Sequence, residues 1–233
     1  MKIKFHKTLV LWALLPFSLQ AQQVMLSEDV AIDSTVAKRG PNRKHHTHSF
    51  MSFGTVVDEG SAGAKVVRPR MDYFNLGVRY KRRLAEHFAV GFDVAYGIED
   101  YRLKQEAGKK LPDTLLNNRE RMIFSSFAGG LYMRFNYGRR GNQLGKYIDL
   151  GGYGNIVFDH THFTKNKQAD GSTIRSRTTG LNYYQLLNYG LSARVGFNKF
   201  VLFGQYRMSN MFYGDKNLPE LPRILAGLQF VLS

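Results

Sequence analysis

Three sets of residues in this sequence have types and spacings that could do chemistry. Ser209 is followed by Asn210, but Arg207 stands two residues before it, where a general base would be needed. Arginine cannot accept a serine proton at neutral pH, so Ser209 lacks activation unless His160 or His162 lies near it. The second set consists of isolated charges that can form ion pairs or, because arginine is in excess, line an anion path. Its members are Arg79, Asp93, Arg134, Asp149, Arg194 and Arg207.

A third candidate is the histidine cluster of His45, His46 and His48, which could in principle bind a metal. No carboxylate or cysteine neighbours it at ligand spacing, so we expect a solvated tail instead. The sequence has no nucleotide loop, zinc motif or Ca²⁺ loop. We therefore expect no metal and no cofactor.

The chain of 233 residues carries 33 Lys and Arg against 18 Asp and Glu, a formal net charge of +15, and contains no cysteine. The lack of cysteine excludes thiol catalysis, disulfide frameworks and thiolate metal sites. A basic balance raises nucleic-acid binding as a hypothesis. The charges are spread over many short segments without one dominant stripe, so we expect no nucleic-acid partner.

The N-terminal residues have the pattern of a signal peptide. Met1–Lys7 is basic, Thr8–Leu19 is apolar but short for a membrane span, and Ala21 is a small residue before a cleavage point. The alternative is an N-terminal membrane anchor. After the signal peptide (1–21), residues 22–47 lack a sustained hydrophobic period and end in a basic run, which predicts a flexible leader.

From about residue 48 onward the sequence alternates with period 2, which is typical of β-strands. In His87–Glu99, for example, Phe88, Val90 and Phe92 fall on one face, while Ala89 and Gly91 fall on the other. The same alternation predicts eight strands, over Ser49–Val57, Met71–Tyr80, His87–Glu99, Met122–Tyr137, Tyr147–Phe158, Leu181–Phe197, Lys199–Phe212 and Arg223–Ser233.

The polarity of the two faces indicates the fold class. One face is nearly free of charge over about ten residues per strand, enough to cross a bilayer at a tilt, while the other is rich in Gly, Ala, Ser, Asn and Tyr. Strands that cross a bilayer must satisfy their backbone groups in a closed barrel. We therefore expect an all-β fold, an eight-stranded antiparallel transmembrane β-barrel over residues 48–233. A soluble lipocalin-like barrel would have the reverse polarity.

The predicted connections alternate in length without exception. Those at 58–70, 100–121, 159–180 and 213–222 are long, and those at 81–86, 138–146 and 198–199 are short. Long loops outside the cell and short turns in the periplasm are typical of outer-membrane barrels. This pattern predicts an outer-membrane location in a Gram-negative bacterium, with both termini in the periplasm.

In such a barrel, the register of strands joined by short turns predicts where the isolated charges lie. Arg134 and Asp149 are equidistant from the middle of the 138–146 turn, so they should face each other on neighbouring strands, and Arg79 and Asp93 are placed almost as well. An eight-stranded barrel has room for little more than side chains inside. We expect a structural ion-pair network that plugs the lumen, with a selective anion path as the alternative.

The long loops are rich in Lys and Arg, which suit contact with anionic lipopolysaccharide headgroups or with a protein partner. These residues are Lys65, Arg68, Arg70, Arg102, Lys104, Lys109, Lys110, Lys165, Lys167, Arg175 and Arg177. A solvated rim is the simplest interpretation. Outer-membrane lipid, lipopolysaccharide and other envelope proteins are the expected partners, and we expect no small-molecule substrate.

Residues 49–233 resemble the small outer-membrane barrel proteins of Bacteroidota, the PorT-like and OmpX-like grouping. The resemblance rests on the Gln-rich start after Leu19-Gln20-Ala21, the segment Arg140–Gly151 and the closing Pro219–Ser233. The chain departs from proteobacterial barrels in ending on Phe230-Val231-Leu232-Ser233, without a terminal aromatic residue. The resemblance implies a barrel, and some members of such families belong to secretion or assembly machines.

These observations predict a non-enzymatic barrel with no catalytic residue, a structural or interaction subunit of a cell-envelope secretion or assembly complex. A lipid A-modifying enzyme is one alternative, because some eight-stranded barrels are deacylases with a His, a Ser two residues on and an Asn. Here Arg207 replaces that His. A small anion-selective channel is the other alternative.

Overall fold

A computed structural model describes residues 40–68, 72–138, 143–214 and 217–232. The predicted signal peptide and residues 22–39 of the predicted leader lie outside these ranges. The described residues form nine strands: β1 (His45–Val56), β2 (Tyr73–Arg83), β3 (Phe88–Arg102), β4 (Arg119–Tyr137), β5 (Lys146–Lys167), β6 (Thr173–Thr179), β7 (Leu187–Phe197), β8 (Phe200–Arg207) and β9 (Ile224–Leu232). No helix within the described ranges is long and apolar enough to cross a membrane.

Eight of the strands close into an antiparallel ring, which confirms the predicted fold class. The order around the ring is β1-β2-β3-β4-β5-β7-β8-β9, and β9 pairs with β1 to complete it. Closure leaves the ring strands with partners on both sides, so their backbone groups are satisfied without water. β6 lies outside the ring and pairs with the far end of β5 alone.

The ring turns its apolar face outward and its polar face inward. The outward side chains of β4, for example, include Phe127, Leu131 and Met133, which are 58%, 72% and 49% exposed. Their inward neighbours Tyr132 and Arg134 are buried. In water such a continuous exposed apolar belt would be strongly unfavourable, whereas in a bilayer it is the expected outer surface of a transmembrane barrel.

The three largest boundary errors are in β5, β7 and β8, because local alternation cannot show where pairing stops. β5 continues to Lys167 and forms a hairpin with β6 in a region predicted to be a loop, 159–180. β7 begins at Leu187 rather than Leu181, and β8 ends at Arg207 rather than Phe212.

The predicted leader also ends earlier than expected. β1 begins at His45, and His45, His46 and His48 pair with Arg82, Lys81 and Arg79 of β2. The histidines are therefore part of the barrel wall and not of a solvated tail. His48 points inward and is 5% exposed.

The predicted alternation of long and short connections holds in the structure. Between the strands of the ring, the long connections follow β1, β3, the ring part of β5 (which ends at Ile156) and β8, and shorter turns follow β2, β4 and β7. The turn after β7 contains Asn198 in the left-handed region, at φ 56°, a conformation that Asn tolerates better than most residues. We name the two ends of the barrel the long-loop end and the short-turn end.

Candidate functional site: the charged lumen and the cap

A buried ion pair joins neighbouring strands in the lumen. Arg134 of β4 lies directly opposite Asp149 of β5. Its Nε and Nη2 donate to the two carboxylate oxygens at 2.7 and 2.8 Å. The Tyr147 ring covers the guanidinium, 3.6 Å from its central carbon. With 1% and 0% of the two side chains exposed, this bidentate contact replaces the hydration that both charges lose.

A second carboxylate, Asp93, accepts from two arginines on different strands. Arg79 of β2 lies opposite Asp93 of β3 and donates to it from Nε at 3.2 Å. Arg194 of β7 donates to Asp93 from Nη1 at 2.8 Å. β3 and β7 are not neighbours in the ring, so the Arg194 contact crosses the lumen. Tyr132 lies between the arginines, with three guanidinium carbons 5.2 to 5.5 Å from its ring centre. Together these contacts fill the lumen at this level.

Arg207 belongs to a different group from the other five predicted residues. It donates to Glu220 at 3.1 Å and to the carbonyl oxygens of Ser209, Leu221 and Pro222. These acceptors lie in the connection between β8 and β9, so Arg207 stabilises a long loop. It does not join the central network, which is the set of ion pairs made by Arg79, Asp93, Arg134, Asp149 and Arg194. Its position at the last residue of β8 explains the difference, because the strand ends at the mouth of the barrel.

The long-loop end is closed by an apolar cap that the sequence analysis missed. Buried side chains from all four long connections form one cluster with the upper barrel wall. Its loop members are Ala64, Val66, Leu103, Leu111, Leu181, Tyr184, Met211, Phe212 and Leu221, and Phe124 stacks on Tyr184 at 4.5 Å. Four of these residues, Leu181, Tyr184, Met211 and Phe212, had been assigned to strands by the alternation. The others are apolar residues in loops otherwise rich in charge, and no pattern in the sequence indicated that the nine residues meet.

A buried charge cluster lies in the cap. Lys109 Nζ is 2.6 Å from Glu120, and His162 Nε2 is 2.7 Å from the other oxygen of the same carboxylate. Gln105 and Asn117 donate to it as well. Lys109 is 4% exposed, so it is not part of the solvated rim in which the sequence analysis placed it. Burial raises the pKa of Glu120, but the hydrogen bonds from His162, Lys109, Asn117 and Gln105 together lower it below the usual 4.5.

This cluster predicts a loss of cap stability in acid. Because the folded pKa of Glu120 is below its unfolded value, the contribution is fully present above pH 4.5 and disappears as pH falls through the lowered folded pKa. We expect faster hydrogen exchange at Lys110 and Leu111, whose amides bond to Gly63, as pH falls through that window. After correction for the intrinsic pH dependence of exchange, Glu120→Gln should remove most of this step.

The control for that experiment is Asp113→Asn. Asp113 also contacts Lys109, at 3.4 Å, but its side chain is 49% exposed. Solvent screens such a pair, so the acid step should persist in this variant. If both variants behaved alike, Glu120 would not be the group responsible.

Ser209 is placed in a structural role. Its hydroxyl accepts from the Tyr189 amide at 3.1 Å and donates to Asn188 Oδ1 at 3.2 Å. His160 instead bonds to the Leu181 carbonyl, and His162 bonds to Glu120. In the described part of the chain no hydrogen bond joins a histidine to Ser209, so this geometry supplies the serine with no base.

Metal binding finds no support in the part of the chain that the structure describes. No group of three or more His, Asp or Glu side chains there could hold a metal ion. The rings of His46 and His48 are stacked at 5.3 Å on the inner wall of β1. His46 and His48 lie opposite Lys81 and Arg79 on β2. The positive charges of Lys81 and Arg79 would repel a metal cation bound at the histidines.

The enclosed space between the central network and the cap is small. It is lined by Glu99, Tyr153, Arg207 and their neighbours and has a volume of about 20 Å³. That is room for about one water molecule. Tyr101 donates to Glu99 at 2.7 Å on one side of it.

Comparisons with known proteins give a distant structural likeness. No family model matches the sequence, and no curated protein matches it. Among solved structures, the chain is similar to Ail, the attachment invasion locus protein of Yersinia pestis. The two share 11% identity over 81% of this chain and 95% of that chain, with a TM-score of 0.30. At this level the likeness supports no statement about activity, and the barrel class rests on the strand pairing described above.

Proposed function

We propose that this chain is an integral outer-membrane protein without enzymatic activity, an interaction subunit of a cell-envelope secretion or assembly complex. The apolar belt and closed ring support membrane insertion by strands, which is typical of the Gram-negative outer membrane. In this proposal both termini and the short turns face the periplasm. The PorT-like and OmpX-like grouping remains part of the same proposal.

The observation that carries the proposal is a sheet that extends beyond the ring at the long-loop end. β5 pairs with β7 only as far as Ile156, and its continuation pairs with β4 on one side and β6 on the other. We name this the projecting sheet, made of residues 119–123, 161–167 and 173–179. Its outer strand β6 is exposed throughout, whereas Glu120, Met122 and Thr161 on its other two strands are buried.

β6 forms an open edge of the projecting sheet. All seven of its residues are exposed, and within the described ranges no strand pairs with its second edge. An edge strand offers unpaired backbone groups to which a partner strand can add. Arg175 and Arg177 on β6 and Lys165 and Lys167 on β5 make the surface basic. A partner with an extended acidic segment fits this surface.

The filled lumen supports a closed barrel and not one that conducts anions. The described interior is filled by paired arginines and carboxylates and is covered by the cap. Steady anion-selective conductance in planar bilayers would contradict this part of the proposal. An altered lipid A acyl pattern in a deletion strain would instead support the enzyme alternative.

The test is gentle detergent extraction of the tagged protein from its native membrane, size separation and mass spectrometry of co-eluting chains. We expect a large particle with defined partners. The double substitution Arg175→Glu with Arg177→Glu should release those partners while the barrel stays folded, because it reverses the charge of the open edge. Recovery of the unmodified protein as a lone barrel would contradict the proposal.

A matched control reverses two exposed charges at the short-turn end, Lys44→Glu with Arg82→Glu. Both side chains are exposed, and the net charge change is the same. We expect the partners to be retained. Loss of partners in this variant and not in the β6 variant would place the docking surface at the opposite end of the barrel.

A further inference from the structure

The projecting sheet carries its positive charges on one face. Successive residues of a strand alternate between faces, and directly opposite residues of an antiparallel pair share a face. On β4 the outward face that includes the exposed Phe127 continues through Arg121 and Arg119. Glu120, which lies between the two arginines, points the other way and is buried in the cap. The cross-strand pairings place six cations of the sheet on the outward face, Arg119, Arg121, Lys165, Lys167, Arg175 and Arg177.

Two rows of residues on this face end in a cation at the open edge. In the first row, Lys165 of β5 lies opposite Arg119 of β4 on one side and opposite Arg175 of β6 on the other. In the second row, Phe163 of β5 lies opposite Arg177 of β6. Like charges that lie directly opposite each other destabilise a sheet. Each row therefore ends on a β6 arginine that would gain from a carboxylate on a further strand.

Carboxylates of the described residues compensate little of this charge. Arg121 is the one member of the set that forms an ion pair within the described ranges, with Asp100 at 3.1 Å. Arg177 donates to the Thr161 hydroxyl at 3.5 Å, which supplies no negative charge. Because all of β6 is exposed, an incoming carboxylate can reach both Arg175 and Arg177.

The backbone of β6 offers a defined set of groups to the open edge. In an antiparallel ladder the N–H and C=O of one residue point to the same neighbouring strand, and those of the next residue point to the opposite side. At the hairpin the Gln168 amide donates to the Ser172 carbonyl oxygen at 2.9 Å, so the even-numbered residues of β6 bond to β5. The N–H and C=O groups of Arg175 and Arg177 therefore point to the open edge.

A second copy of this chain does not suit the edge. Antiparallel pairing of two β6 strands centred on Ser176 would place arginine opposite arginine. Charged residues on exposed edge strands commonly keep identical copies apart in this way. A strand that adds to β6 must therefore carry the opposite charge on its outward face.

We propose that the open edge of β6 binds an extended segment with two carboxylates separated by one neutral residue. Paired antiparallel with β6, the segment places both carboxylates on the outward face, opposite Arg175 and Arg177, and its backbone bonds to theirs. The middle residue lies on the other face, opposite Ser176 and beside the uncharged Ile174 and Thr178. This inference rests on the proposed function, because it specifies the chemistry of the partner expected at β6.

The test uses the purified full chain in detergent micelles and two blocked nonapeptides of identical composition. One contains two Glu separated by one Val, and in the other the two Glu are adjacent, which puts them on opposite faces of a strand. We expect the first peptide to bind roughly threefold to fivefold more tightly, because only this peptide forms both cross-strand charge pairs.

Hydrogen exchange measured by NMR distinguishes strand addition from contact through charge alone. When the first peptide binds, exchange at the Arg175 and Arg177 amides should slow, since these amides gain acceptors on the added strand. The even-numbered amides of β6 already bond to β5 and should change less. A peptide held only by charge would leave the Arg175 and Arg177 amides unchanged.

Variants locate the binding surface. Arg175→Gln with Arg177→Gln should remove the preference for the first peptide, because no cation of β6 then faces its carboxylates. Lys44→Gln with Arg82→Gln is the matched control, since it removes the same charge from exposed side chains at the short-turn end. The preference should persist in this control.

Several results would overturn the proposal. They are equal affinity of the two peptides, no binding of either, or binding that leaves the Arg175 and Arg177 amides unprotected. Protection that needs no peptide and grows with protein concentration would identify a second copy as the occupant and would also overturn it. Recovery of a lone barrel from the native membrane would contradict the proposed function, whereas partners that are released by the β6 charge reversal without amide protection would contradict this inference alone.

Discussion

Asp149→Ala should destabilise the folded barrel by roughly 3 kcal/mol or more, the usual cost of leaving a buried charge without its partner. Arg134 is 1% exposed and makes both of its charge-assisted hydrogen bonds to Asp149. Arginine stays protonated, so the substitution leaves a cation in a packed lumen behind an apolar wall. The change should be visible as a lower midpoint of urea unfolding in lipid vesicles.

Two further variants separate charge loss from other effects. Arg134→Met combined with Asp149→Leu removes both charges and should recover much of the lost stability, since no unpaired ion remains. Asp170→Ala in the exposed turn of the β5–β6 hairpin should cost less than about 0.5 kcal/mol. If Asp149→Ala were no more costly than Asp170→Ala, the central pair would contribute little to stability.

Gly227→Ala should prevent correct closure of the ring. β9 and β1 are the terminal strands, and Gly227 lies opposite Gly54 in their ladder. A Cβ at Gly227 would overlap the Phe53 carbonyl oxygen and lie 2.5 Å from the Gly54 Cα and 2.9 Å from the Phe203 ring. Because two of these contacts are backbone, no side-chain movement relieves them. We expect a large loss of folded protein.

The measurement is the fraction of protein that keeps the faster gel mobility of a folded barrel when it is not heated. Gly129→Ala is the matched control, because a Cβ there meets nothing within 4 Å. It adds the same methyl group to another ring strand and should fold as the unmodified chain does. Equal folding of both variants would show that the β1–β9 contact tolerates separation.

The alternation of residue types was enough to predict the barrel. A strand has period 2, so each outward apolar and inward polar residue can be assigned from its neighbours alone. A short turn also defines the register of the strands that it joins, and for this reason Arg134 and Asp149, or Arg79 and Asp93, could be placed opposite each other. These features are local, because they depend on residues close in the chain.

Contacts between distant segments were decided by the tertiary structure alone. Arg194 reaches Asp93 across the lumen because closure brings β7 and β3 face to face, and no turn joins them. The cap depends on the same closure, which gathers four loops from separate parts of the sequence over one mouth. Arg207 has the same inward parity as Arg194, but its position at the strand end directs it to Glu220. Periodicity assigned each residue to a face of its strand, while the pairing of β1 with β9 determined which inward side chains meet.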